Sequence, residues 1–525
     1  MTHSFDLIEK PWVPALMPRG PDLLSLRQVF EQAKEITDFY GLNGTTTVSL
    51  IRVLEAILFD AHRVSGDMEW WKKTWDSGNF DDTVLGYLDE YSERFDLFHP
   101  DYPFYQVAGL EPVSDGGFKP IGILMPGVSA GNNTPLFSSL IDNDLPDLAP
   151  AEAALRLIEI QGWDTAGIKT GALGDPEVKS GKTSGNLTGY LGQLGAVVPL
   201  GRNLFETLML NYPLDSKDIE GDLPLWRRSV SEKWEKRQPR GILEALTWSS
   251  RRVRMIPNEA KSGFTSAVVS SGDRTEFVPD FEPQTVWRID KKAPNGRRSL
   301  RHQSGQAPWR GIPALTTIGA SEGGKDTSIG LSTINKLRHE KFLDEDYPLD
   351  VLLVGVSYGT MSAIIEDVIT ERLPLPLRGL VQNDSEVHEE MTKVAEASES
   401  LVKALNSLDA NLRRAQKAEP IPWDKGQRVG DRFSFTIGPS IIALLQNMRD
   451  PKQDLDDLVL AWQLQAYSLA RSVGDPLLDS AISKAGSSEA MDDIIQARIY
   501  CYGALKNALP EAHEHRKAQE RSNND

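Results

Sequence analysis

The sequence is poor in the residues on which compact chemical sites usually rest. Across 525 residues there is one cysteine, Cys501, so no disulfide can close within the chain and no multi-cysteine zinc site can assemble. Eight histidines are scattered, and only His513 and His515 stand close together. They lie in a polar C-terminal stretch expected to fray, and neither is read as a ligand. There is no nucleophile elbow, no His-Glu-x-x-His and no paired carboxylate run with a histidine partner. The expectation is therefore of a protein that is not an enzyme, with no catalytic residue, no metal and no cofactor. No apolar run reaches 18 residues, so no membrane contact through a spanning helix is expected. The N-terminus has no basic segment leading into an apolar one, which predicts no signal peptide and, with the lone cysteine, a cytoplasmic setting.

What is present is ordinary for a globular chain: 40% hydrophobic and 25% charged residues. The length calls for two or three domains. A net charge of −18 argues against free-standing, non-specific nucleic-acid binding. The charge is uneven, however. Between Trp226 and Arg254 nine Lys/Arg face three acids, and between Arg288 and Arg310 seven face Asp290 alone. Two basic segments in an acidic chain suit a subunit that touches a phosphate backbone with one face; solvated surface charge accounts for them equally well.

The most unusual stretch runs from Gly171 to Asn203, with eight glycines in 33 residues. Glycine belongs where backbone takes positive φ or approaches something closely. Gly181-Lys182-Thr183 inside it resembles the end of a phosphate-binding P-loop, and a nucleotide-binding hydrolase using these three residues is the alternative function. The spacing opposes it, because a P-loop needs Gly five residues before its Gly-Lys pair and position 176 is Pro. What remains is a long loop rich in Gly, Ser, Thr and Lys. It is either a mobile linker or a backbone that lies against a polyanion or in a narrow groove.

Elsewhere the pattern alternates helix and strand. Ser25 caps a helix over Leu26–Ala33, and Val48, Ile51, Leu54, Ile57 and Leu58 mark a helix over Thr47–Arg63. The Trp70, Trp71, Trp75 stripe reads as core. Residues 93–109 form an extended, proline-stiffened segment that buries Phe95, Phe98 and Phe104. Val253–Ile256 alternates as a strand, and 257–264 make a turn that projects Lys261. Val351–Val356 is a strand, followed by a turn at Gly359-Thr360-Met361 and a helix from about Ser362. Four helical stretches at 384–418, 426–449, 454–474 and 487–509 imply an antiparallel four-helix bundle. The fold class is thus α+β, a large mixed domain over 1–378 followed by a four-helix bundle over 379–525.

Several stretches together resemble the CasA family, the large subunits of the type I-E CRISPR surveillance complex Cascade. They are FDLIEKPWVP with SLRQVF, RFDLFHPDYPFYQV, PGVSAGNNTPLF, GRNLFETLMLN at 201–211 and LDVLLVGVSYGTMSA at 349–363. The resemblance spans essentially the whole chain. It implies partners: the other Cascade subunits, crRNA, double-stranded target DNA and the type I nuclease-helicase. It implies that Phe137, with Asn132 and Asn133, contacts crRNA and neighbouring subunits. Lys261 would reach the minor groove beside the protospacer-adjacent motif (PAM), joined there by the glycine loop at Gly181, Lys182, Thr183, Ser184 and Gly185. The strand-separating wedge would be Gly359-Thr360-Met361, where the family typically carries an Asn–Gln tip. Arg251, Arg252, Arg254 and the 288–310 cluster would position the duplex through phosphates. Some members hold a zinc ion near the Lys261 loop with cysteines; this chain has none there, so packing alone must hold that loop.

Overall fold

The computed structural model describes residues 4–130, 145–228, 233–275, 281–293, 296–301, 307–316, 329–380, 385–422 and 428–522. The chain divides into two compact units. The first comprises Met1–Ser304, Lys325–Phe342 and Asp350–Arg372; the second comprises Gly305–Gly324, Leu343–Leu349 and Leu373–Asp525.

The first unit is built around the helix Gly44–His62, buried from Gly44 through Asp60 except at Thr47. Asn43 starts it by accepting from the Thr46 amide at 2.8 Å, and Arg63 ends it in the left-handed region at φ 46°. Burial on all sides forces its polar residues to find partners inside. Arg52 donates to both carboxylate oxygens of Glu282 at 2.7 and 3.0 Å and to the Ala245 carbonyl at 2.6 Å. Glu55 accepts from the Gln284 amide at 2.8 Å. The helices Pro150–Trp163, Asp82–Glu90 and Leu204–Asn211 pack around it. As expected, Trp71 is buried, stacked on Trp75, and Phe95 and Phe104 are buried and stacked on each other.

Thirteen strands among the described residues form four small sheets. Near the N-terminus β1 (Val13–Met17) pairs antiparallel with β2 (Gly20–Leu24) and β3 (Asp38–Phe39). A five-stranded sheet joins β4 (Lys119–Pro120), β5 (Gly167–Thr170), β6 (Lys182–Asn186), β8 (Arg251–Pro257) and β9 (Phe264–Ser271), with β9 between β4 and β5 and also paired to β8. A three-stranded sheet runs β13–β12–β7, from β7 (Ala196–Leu200), β12 (Asp350–Tyr358) and β13 (Ile365–Pro374). The last sheet is the pair β10 (Trp287–Ile289) and β11 (Arg297–Ser299).

Two expectations about elements change here. The stretch 171–203 is not one long loop: it holds β6, a short helix Tyr190–Leu194 and β7. The segment after Met361 is not a helix but the strand β13. Its β-branched Ile364, Ile365, Val368, Ile369 and Thr370 favour extended backbone, although the apolar spacing alone mimics a helix.

The second unit is helical. Glu386–Ala415 packs against Val429–Asn447, Leu455–Ser483 and Ser488–Ala508. Its buried face carries Val394, Leu401, Leu405, Leu408 and Leu412. Gly430 lets one helix approach another so closely that a Cβ there would stand 2.1 Å from the Val402 carbonyl oxygen. A fifth helix, Pro510–Ser522, occupies most of the stretch expected to fray. Its first turn is satisfied from outside, because Gln463 Oε1 accepts from the amides of Glu511 and Ala512 at 3.0 and 3.2 Å. Residues outside the bundle belong to this unit as well: the Trp309 indole donates to the Ser434 carbonyl at 2.9 Å. No helix among the described residues is long and apolar enough to cross a membrane.

Candidate nucleic-acid interface

Three hairpins of the first unit carry the residues singled out in the sequence. The first joins β8 to β9. Its turn is tied by Asn258, whose amide donates to the Gly263 carbonyl at 2.9 Å and whose Oδ1 accepts from the Ser262 amide at 2.9 Å. Asn258 Nδ2 donates to Asp147 Oδ2 at 2.7 Å, which ties the turn to the chain before it. Lys261 sits at its tip, exposed, with φ at 52°. A left-handed lysine is costly unless its surroundings fix it; here the Lys261 amide donates to the Asn258 carbonyl at 3.0 Å.

The second hairpin joins β12 to β13. Its tip is closed by the Gly359 amide donating to the Ile364 carbonyl at 2.9 Å and the Ser362 amide to the Gly359 carbonyl at 2.8 Å. Met361 and Ser362 both have φ of 54°. Met361 is 82% exposed, more than any other large apolar side chain among the described residues. The turn thus holds an unbranched thioether out in water.

The third hairpin joins β5 to β6. Lys179 and Lys182 exchange both backbone hydrogen bonds, at 2.9 and 3.1 Å, around Ser180 and Gly181 with φ of 50° and 73°. Two central residues of positive φ make the tight turn that fits the twist of paired strands. Gly181-Lys182-Thr183 therefore closes a hairpin and opens a strand, whereas a P-loop opens a helix. Lys182, Ser184 and Gly185 are exposed on β6. Thr183 is fully buried, which removes it from the set of DNA contacts expected from the sequence.

A groove of about 650 Å³ is lined by Gly181 and Lys182 of the third hairpin, Lys119, Asp164, Lys169 and, from beside the tip of the second hairpin, Ile365. Lys119 and Lys169 had no sequence signal; each is a single cation in an unexceptional context. The Lys169 ammonium stands 2.6 Å from Asp164. Burial pushes the Asp164 carboxyl up, but Lys169 and Arg251 together outweigh it and hold it below 3.8.

Arg251 and Arg252 are corrections. Both are 3% exposed; adjacent residues of a strand face opposite sides, so both faces of β8 are covered at this end. Arg251 is ion-paired to Asp164 and donates to the Leu187 and Thr165 carbonyls at 2.7 and 2.9 Å. Arg252 pairs with Asp175 at 2.8 Å. These guanidiniums tie the sheet together internally and do not face solvent. Arg254, two residues on and so on the same face as Arg252, lies where that face opens: its side chain is 29% exposed and pairs with Glu111. Arg274, not singled out beforehand, lies over the Trp234 ring at 3.8 Å and donates to the Ser184 carbonyl at 2.8 Å, bracing β6 from its outer side. Phe137, Asn132 and Asn133 lie outside the described residues. Among the described residues no group of three or more His, Cys, Asp or Glu side chains is disposed to hold a metal ion.

The chain is similar to known proteins over most of its length. The family model of CRISPR-associated protein Cse1 matches residues 6–473. CRISPR-associated protein CasA/Cse1 of Thermus thermophilus is 27% identical over 433 residues, 79% of each chain. The crystal structure of Thermobifida fusca Cse1 superposes with a TM-score of 0.86 at 29% identity, covering 97% of this chain and 98% of that one. A chain of a CRISPR RNA-guided surveillance complex shares the fold, with a TM-score of 0.72 at 20% identity over 95% of this chain and 99% of that one.

Proposed function

Given that the chain belongs to the Cse1/CasA family of CRISPR surveillance-complex subunits, we propose that its three hairpins read a short duplex PAM and start to open it. Lys261 and the exposed edge of β6 enter the minor groove, where A·T and G·C are distinguished but finer identity is degenerate. Met361 then inserts at the adjacent base step, as apolar wedges do in other duplex-bending proteins. Guide RNA pairing supplies the remaining sequence specificity, the division of labour general to RNA-guided recognition. In this reading the partners are the other Cascade subunits, crRNA, target duplex and the nuclease-helicase, which the complex recruits after opening. Phosphate contacts come from Arg254 and the cations of 288–310.

The observation that carries the reading is the pair of exposed tips with left-handed residues, one cationic at Lys261 and one apolar at Met361. A charge that seeks phosphate or a groove and a wedge that seeks a stack are the two tools that duplex opening requires. The test is duplex binding by the reconstituted complex, with and without this chain, on targets with matched and mutated PAMs. Discrimination that appears only with the chain present, and falls by about 1–3 kcal/mol in Lys261→Ala with assembly intact, is the expected result. Equal binding to PAM and non-PAM targets by the wild-type complex contradicts it.

A further inference from the structure

The second and third hairpins belong to different sheets, yet the same four residues hold both. The helix Pro150–Trp163 ends at Asp164, and the chain then runs through Thr165 and Ala166 into β5. The Trp163 carbonyl accepts from the Tyr358 hydroxyl at 2.7 Å, at the end of β12. Ala166 donates its amide to the Ser362 carbonyl, within the Met361 tip, at 2.8 Å. Between those two bonds the chain turns to the glycine segment. The Asp164 carbonyl accepts from the Gly189 amide at 2.8 Å, and Arg251 bridges the Thr165 and Leu187 carbonyls while pairing with the Asp164 carboxylate.

Two glycines make this proximity possible. A Cβ on Gly189 would stand 2.4 Å from the Gly162 carbonyl carbon and the Trp163 amide nitrogen, and one on Gly192 would stand 2.3 Å from the Tyr358 phenol oxygen. Neither glycine has positive φ, so space alone requires them. They answer, for this half of the segment, what its glycines are for. Burial raises the Tyr358 hydroxyl pKa well above its ordinary value, so it remains a donor throughout the working pH range.

We propose that residues 163–166 couple the PAM-reading hairpin to the wedge, with Tyr358 the positioning residue that fixes the Met361 tip against the seat of the glycine segment. The inference rests on the reading given under Proposed function and adds to it a specific link between recognition and opening. Tyr358 touches no nucleic acid in this scheme; it sets where the wedge stands once the PAM is held.

The assembled complex carrying Tyr358→Phe tests the link with two readouts. One is affinity for a short PAM duplex with no complementarity to the guide, which reports reading alone. The other is the fluorescence of 2-aminopurine at the first base pair beside the PAM, which reports opening. The expected result is PAM affinity within about two-fold of wild type and opening reduced about five-fold, the ratio commanded by one hydrogen bond of ordinary net strength. Gly192→Ala, whose methyl displaces the phenol, should show the same split. Opening unchanged in both variants overturns the coupling. A proportional loss of both readouts also overturns it, since that marks general damage to the unit. A wild-type complex with no PAM preference fails at the earlier step and removes the recognition reading itself, an outcome distinct from either.

Discussion

At the scale of single residues, the sign of a charge was readable and its destination was not. Arg251, Arg252 and Arg254 stand within one basic run, yet β8 is covered on both faces where the first two stand and leaves the third partly exposed. The difference has a measurable size. Arg251→Ala takes the donor from the Thr165 and Leu187 carbonyls while Asp164 keeps Lys169, and should cost about 1–3 kcal/mol in urea unfolding. Arg254→Ala should cost less than about 1 kcal/mol, because its pair with Glu111 is largely exposed. Glu55 supplies a pH signature. Its burial raises the carboxyl well above 4.5, the Arg52 guanidinium and the Gln284 amide pulling it back only in part. With the folded pKa above the unfolded one, folding retains a proton that the unfolded chain releases, so this group's contribution is full below 4.5 and declines as pH rises. Glu55→Gln has no such proton to retain. Its unfolding free energy should gain on wild type progressively above pH 4.5; a constant difference from pH 4 to pH 8 would refute the assignment. Nothing in the sequence announces Glu55 as special, since Gln284 meets it only through the fold and Arg52, one helical turn away, is bonded to Glu282.

At the scale of elements, local chemistry was legible where caps and turns decide it. The Ser25 cap, the turn at 257–264 and the bundle helices follow from residue types at fixed offsets. The failures share a cause, which is partnership at a distance. The strand Ile365–Pro374 has apolar residues at a spacing that also suits a helix, and its β-branched residues together with pairing to β12 select the extended form. The helix Pro510–Ser522 has its first turn completed by Gln463, on another helix. Thr183 and Lys182 are neighbours in a glycine-rich run, and the two-residue period of β6 alone separates the buried one from the exposed one. Two predictions belong here. Gly189→Ala should destabilise the first unit by about 1–3 kcal/mol in thermal unfolding, since its Cβ meets backbone that cannot yield. Met361→Asp, at a tip in open water, should leave stability within about 0.5 kcal/mol while abolishing the 2-aminopurine signal of opening. A large stability loss in the second case would show that the tip is packed and not presented.

At the scale of the whole molecule, a chain of net charge −18 has few cations to offer a polyanion, and many of those it has are engaged internally. The chain alone should therefore bind duplex DNA weakly, with a log–log salt slope of magnitude below about 2 between 50 and 200 mM salt, measured by fluorescence anisotropy. A slope of several units would mean that a broad basic face exists after all. Family membership was legible from short stretches spread over the chain because each is a local packing or turn solution kept in order. The division into units was less so, since segments near 310 and 345 join the helical unit from well upstream. That arrangement bears on how the polypeptide is made. Trp309 leaves the ribosome 125 residues before Ser434, the carbonyl it must meet. At bacterial-like elongation speeds of about 5–20 residues per second, the indole waits roughly 6–25 s for its acceptor. The second unit can therefore close only late in synthesis, and during that interval the nascent chain carries an unburied tryptophan that a chaperone is well placed to cover.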